Sequence, residues 1–202
     1  MASVSKATPQ HDVVLRYTNG AIFLHWLTAA FVLVQLGVGF TFHQLLPRGP
    51  LRSDLFVWHK TLGAVILLLA IVRLIWRLTH KPPPFPDDLP RWERLVSVWT
   101  HRAFYFLLIA LPLTGLAAIS AGADQATTAL KFGLALPLVP GLSEESGDTF
   151  ELLHIGLVLL TILLLVIHVA AAVRNQLQRR RVAGRMPPFK APEGVEVEVD
   201  EG

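Results

Sequence analysis

Residues 151–174 read ELLHIGLVLLTILLLVIHVAAAVR. Between Leu152 and Val173 there is no Asp, Glu, Lys or Arg, and a helix that crosses a bilayer needs about 20 predominantly apolar residues. The run therefore predicts a transmembrane helix. It nevertheless carries two imidazoles, His154 and His168. At about 100° per residue, their separation returns to within about 40° of one face. At about 1.5 Å per residue it sets them roughly 21 Å apart along the axis. A polar side chain inside a membrane is costly and marks a functional site by default. Two on one face predict two stacked ligand sites, one per leaflet.

Outward from this run, the remaining apolar residues are clustered in the same way. The chain has 202 residues, of which 52% are hydrophobic, enough for about one domain. The clustering, more than the total, marks a membrane protein. There is no cysteine, which excludes disulfides, thiolate metal sites, Cys-ligated iron–sulfur clusters and C-x-x-C-H haem attachment. Eight histidines remain as the abundant soft ligands. The basic balance reads as membrane topology, not as nucleic-acid binding. Residues 1–20, MASVSKATPQHDVVLRYTNG, have no apolar core of a signal peptide, so the first apolar run is expected to stay as an uncleaved helix.

Residues 1–15 read as a flexible tail and 16–176 as the membrane domain, with spans predicted at about 21–42, 55–78, 98–119 and 151–173. The first opens R-Y-T-N-G-A-I-F-L-H-W and sets His25 one turn inside the membrane edge; Gly37 and Gly39 suit close helix approach near its other end. A loop broken by Pro47, Gly49 and Pro50 leads to the second, which begins L-F-V-W-H-K at His59. This span ends with Arg73 and Arg77 placed to snorkel toward the far surface. HKPPPFPDDLP cannot be helical throughout. Arg91–Thr100 reads as an interfacial helix leading into the third span, which has His101 near its start and is expected to kink at Pro112. Residues 120–149 form the longest loop, with an amphipathic piece TTALKFGLALPLV on the surface. Residues 177–202 read as a basic and then disordered tail.

Of the 18 Lys and Arg, all but Arg48, Arg52, Lys60 and Lys131 lie in the tails, the middle connector and its flanks. The positive-inside rule then puts both termini in the cytoplasm. The histidines sort by depth into two pairs: His25 with His168 in the inner leaflet, His59 with His154 in the outer. Four-helix bundles build cofactor sites from facing core side chains. Two axial imidazoles per iron make a six-coordinate haem b, suited to electron transfer because no position is open for oxygen. Zinc prefers four ligands at one level and fits less naturally. A proton relay would want intramembrane carboxylates, and the spans contain none. His43 lies 18 residues after His25 on the same face and competes with His59 as outer ligand. His11 and His80 read as solvated. His101 sits at inner depth without a partner, where it could meet a haem propionate, bind quinone or cap the interface. Arg16, Arg73, Arg77, Arg102 and Arg174 crowd that surface, and guanidinium groups pair well with propionates.

The stretches A-I-F-L-H-W, H-K-T-L-G followed by V-R-L-I-W-R-L, T-H-R-A-F-Y-F-L-L-I-A-L-P-L-T-G-L, F-G-L-A-L-P and the His154/His168 pair occur here in one order. Together they resemble the bacterial di-haem cytochrome b561 family over about residues 15–176. The resemblance implies an all-α, four-helix membrane bundle holding two stacked, non-covalent b haems. It implies a multi-pass protein of the bacterial inner membrane whose ligands are His25, His168, His59 and His154. It also implies quinone reactivity at the inner face, with electrons passing from superoxide or another outer donor to ubiquinone. His101, Arg16 and Arg174 are then candidates for quinone or propionate contacts, and Lys60 for an outer anion contact. Lipid, quinone and a small outer donor are the expected partners, with no nucleic acid. Two alternatives differ in class: a haem-bearing anchor relaying electrons for a hydrogenase- or dehydrogenase-type partner, and a haem-free structural or metal-binding bundle.

Overall fold

A computed structural model describes residues 13–199. A short strand, β1 (Val13–Arg16), precedes four long helices: α1 (Asn19–Phe40), α2 (Pro50–Thr79), α3 (Arg91–Ser120) and α4 (Glu144–Leu177). All four are long and apolar enough to span a membrane, making this a multi-pass membrane protein. Helices α2, α3 and α4 overrun the predicted spans at both ends, because polar turns extend each helix beyond its apolar run, whereas α1 begins two residues early and gives way to a π turn at Thr41. Thr18 caps α1, its Oγ1 accepting from the Ala21 amide at 3.3 Å. The helix loosens at its other end into a π turn over Thr41–Leu45. Pro50 starts α2 at a position where its missing N–H costs nothing. Glu144 and Glu145 stand in the first turn of α4 and Arg174 in its last, each complementing the helix dipole.

Three sequence expectations change. Arg91–Thr100 is not a separate interfacial helix: with no Gly or Pro to break it, α3 runs unbroken from Arg91 and continues through Pro112 to Ser120. The loop piece TTALKFGLALPLV folds instead into a hairpin, β2 (Thr127–Ala129) antiparallel to β3 (Ala135–Pro137). Its turn places Phe132 (φ 62°) and Gly133 (φ 71°) in the left-handed region, as a type I′ hairpin turn requires. The Lys131 amide donates to Thr61 Oγ1 at 3.0 Å, and Lys131 Nζ pairs with Asp54, so the hairpin is pinned onto α2.

The C-terminal segment also departs from its expected disorder. Arg181–Arg185 form a 3-10 turn, and β4 (Glu196–Val199) pairs in parallel with β1. The Arg185 guanidinium is buried, lies 5.3 Å from the Tyr17 ring and 4.9 Å from the Phe85 ring, and donates to the Pro83 carbonyl. Trp26 Nε1 donates to the Pro187 carbonyl at 2.7 Å. Arg185 thus ties the C-terminal segment to Tyr17 and to the proline-rich connector.

Helices α1 and α2, α2 and α3, and α3 and α4 pack closely along their backbones. The innermost cluster is Ile66, Ala70 and Leu108, with Phe31, Val32 and Ile109 against it. Thr28, Thr61, Ser120 and Thr161 are also buried. Each hydroxyl donates to the carbonyl four residues earlier, at 2.7–2.8 Å. An apolar interior tolerates these groups because the helix itself satisfies them. Close backbone packing runs α1–α2–α3–α4, so α4 faces α1 and α2 mainly through side chains. The histidines occupy that space.

Candidate functional site

Toward one end of the bundle, the rings of His25 on α1 and His168 on α4 have centroids 6.3 Å apart. Toward the other, His59 on α2 and His154 on α4 are 6.2 Å apart. Both pairs are those expected from depth alone. The spacing tests what such a pair can hold. A metal–imidazole nitrogen bond is about 2 Å, and a ring centre lies about 1 Å behind its nitrogen. Two imidazoles on opposite sides of one metal therefore have centroids about 6 Å apart, which both pairs match. Among the described residues, no three or more His, Asp or Glu gather in a way that could hold one ion. The arrangement suits a metal that brings its own equatorial ligands, as haem iron does.

Glycines give the second pair its room. A Cβ on Gly39 would lie 3.2 Å from the His59 ring, and one on Gly115 would lie 3.2 Å from the His154 ring. Gly37, expected with Gly39 to suit close helix approach, has nothing within 4 Å of its Cβ position. His154 Nδ1 lies 3.0 Å from the Leu111 carbonyl and 3.2 Å from Thr114 Oγ1. A carbonyl only accepts, so Nδ1 carries the proton and Nε2 keeps its lone pair for a metal. Gln35 on α1 donates from Nε2 to the His59 carbonyl at 3.0 Å and lies 3.4 Å from the His59 ring nitrogen. His59 Nδ1 and Gln35 Oε1 are buried with no hydrogen-bond partner. Such orphans inside a membrane protein are what a site built around a missing group leaves behind.

On the first pair's level, His25 lines a cavity together with Tyr17, Arg73, Trp76, His101 and Tyr105. His101 does come near a partner: its ring is 5.8 Å from that of His168, and its Nδ1 donates to the Ser97 carbonyl at 2.7 Å. Arg73 does not snorkel to the surface. Its Nη2 lies 2.9 Å from His25 Nδ1, and its guanidinium lies 5.6 Å from the Tyr105 ring. The signal was present in the sequence: Arg73 follows His59 by the same interval that separates His154 from His168. Gln35 and Thr114 carried no such signal, being uncharged polar residues in apolar runs.

Other expected residues lie elsewhere. Arg174 faces Glu93 at 3.5 Å beside Arg180, which bonds the same carboxylate at 2.6 Å. Arg16 donates to Asn19 Oδ1 at 3.0 Å. Neither lines the cavity. Lys60 donates to Thr128 Oγ1 at 2.6 Å and lines an open pocket under the hairpin. His43 sits on the π turn, half-exposed, 4.0 Å from Glu151. His80 stacks flat on Trp76, centroids 4.1 Å apart. His11 lies outside the described residues.

Comparison with known proteins agrees with this geometry. The chain is 26% identical over 177 residues to "Probable superoxide oxidase CybB" of Yersinia pestis, an alignment covering 87% of this chain and 97% of that protein. It is 29% identical over 101 residues to "Cytochrome b561 homolog 2" of Escherichia coli K12, covering 50% of this chain and 53% of the relative. A third relative, "Cytochrome b561 homolog 1" of the same organism, is 28% identical over 108 residues, 50% of this chain and 58% of its own. The family described as prokaryotic cytochrome b561 matches residues 16–188, which takes in all four helices and every paired histidine. The chain therefore belongs to the prokaryotic cytochrome b561 family of membrane electron-transfer proteins, a membership that implies b-type haem.

Proposed function

We propose that the protein is a di-haem b cytochrome that carries electrons across the bacterial inner membrane, from superoxide or another outer-face donor to ubiquinone. The observation that carries this reading is the repeated imidazole pair, 6.3 Å and 6.2 Å between centroids, drawn twice from α4. His25 and His168 would hold one haem, and His59 and His154 the other. A haem with both axial positions filled supplies one-electron chemistry without an open site for oxygen. The chain's own residues do the rest. Leu111 and Thr114 hold the His154 tautomer, and Gly39 and Gly115 keep the space beside the rings clear. The surrounding apolar helices exclude water. Lys60 offers a cation at the outer end for a small anion. At the inner end, His101 Nδ1 is tied to Ser97, which leaves Nε2 free to exchange a proton with a quinone in the adjoining cavity. The similarity to a probable superoxide oxidase over nearly its whole length supports superoxide as donor.

A dithionite-reduced minus oxidised visible spectrum of detergent-purified protein, with haem quantified per chain, tests the proposal. The expected result is about two b haems, falling to about one in His25→Ala and in His59→Ala. Reduction of ubiquinone by superoxide in the purified wild type then identifies donor and acceptor. Protein that stays colourless from haem-supplied cells would overturn the cytochrome reading in favour of a haem-free bundle. Purification with a stoichiometric dehydrogenase-type subunit, and no superoxide-driven reduction by the isolated chain, would turn it toward a membrane anchor.

A further inference from the structure

The two imidazole pairs are not equivalent in charge. Helix α4 supplies a histidine to each, but α2 supplies His59 to one level and, 14 residues on, Arg73 to the other. Arg73 Nη2 is 2.9 Å from His25 Nδ1. A guanidinium is charged at every physiological pH. Among the described residues no carboxylate pairs with it, and Arg77 and Lys81 line the same cavity. The His59 level has instead a neutral amide, Gln35, against its ring. Its nearest cation, Lys60, is turned away onto Thr128 beneath the hairpin and over the Phe56 ring. Glu151 stands one turn from His154 on α4. One level is thus biased by a fixed positive charge, and the other by neutral and acidic groups.

We propose that Arg73 is a positioning residue that makes the His25/His168 level the stronger electron acceptor of the two. This rests on the two-haem reading above. Reducing a ferric haem to ferrous adds one negative charge at that level. A nearby cation in a medium of low dielectric constant favours the reduced form, so Arg73 draws the electron toward the end where the quinone cavity lies. No proton, bond or further reactant enters the argument. The chain supplies the field, and the one electron gained at this level is the electron lost at the other.

The test is a potentiometric titration of both haems in detergent-purified protein, with the inner component identified as the one missing in His25→Ala. In Arg73→Gln the reduction equilibrium of the inner haem should fall at least tenfold, about 59 mV for a one-electron couple, with the outer haem unmoved. Arg73→Lys keeps the charge and should hold the inner haem within threefold of wild type. Should Arg73→Gln lose haem, Tyr105→Glu sets a carboxylate against the guanidinium and should lower the same potential. Two haems per chain with unshifted potentials in these variants would overturn the proposal while leaving the two-haem reading intact. That result would mean that a haem propionate already cancels the charge. Equal shifts in Arg73→Gln and Arg73→Lys would also overturn it, because hydrogen-bond geometry rather than charge would then set the potential. A wild type without two haems would instead be a failure of the underlying reading.

Discussion

At the scale of single residues, the site depends on what is small as much as on what is polar. Gly39 and Gly115 stand where a Cβ would come within 3.2 Å of the His59 and His154 rings. Over-packing of this kind costs about 1–3 kcal/mol and displaces the neighbour. Gly39→Leu and Gly115→Leu should therefore each reduce haem content from about two per chain to about one, leaving the His25/His168 component. Gly37→Ala should leave it unchanged, because nothing lies within 4 Å of that Cβ. Equal losses in all three would show that helix packing, and not the ring pocket, is disturbed. Thr114→Val makes a finer test. It removes one of two acceptors near His154 Nδ1, and the Leu111 carbonyl remains at 3.0 Å. A loss near the low end of the usual 0.5–1.5 kcal/mol per hydrogen bond is expected, read as a small shift in haem retention during thermal melting.

At the scale of elements, the four helices follow directly from apolar runs, while the pieces joining them do not. A run without charges has one stable state in a bilayer, since each backbone group must be satisfied within its own segment. The connectors answer to tertiary partners. The hairpin β2–β3 rests on Thr61, Asp54 and Lys60 of α2, about 70 residues away in sequence. The C-terminal segment rests on Arg185, buried between Tyr17 and Phe85. Arg185→Ala removes a charged hydrogen bond and two ring contacts. Hydrogen bonds to charged groups are worth about 1.5–3 kcal/mol, and the ring contacts about 0.5 kcal/mol or more each. The variant should melt several degrees lower in detergent and become sensitive to protease after Leu177, while its haem bands persist. A variant cut no faster than wild type would mean that other contacts, such as Trp26 to the Pro187 carbonyl, hold the segment alone.

At the scale of the whole molecule, orientation follows from charge. With all Lys and Arg but Arg48, Arg52, Lys60 and Lys131 on one side, both termini should face the cytoplasm. The absence of native cysteine makes the test clean. A membrane-impermeant maleimide should label Gln125→Cys in intact spheroplasts, and Arg179→Cys only after the membrane is opened. The reverse pattern would sink the orientation and, with it, the direction of electron transfer. The sequence by itself determined the number of spans and the placing of histidines at two depths, and it left His43 beside His59 as the outer candidate. Hydrophobic run length and helical periodicity are local properties, and a bilayer converts them into depth without needing the fold. Only the tertiary structure decided which side chains meet across the helices. Arg73 turns onto His25 instead of reaching the surface, Gln35 meets His59, and Arg174 goes to Glu93 and away from the cavity. Depth along a helix can be counted from the chain. Lateral contact depends on helix rotation and packing distance, which arise only when all four helices are assembled.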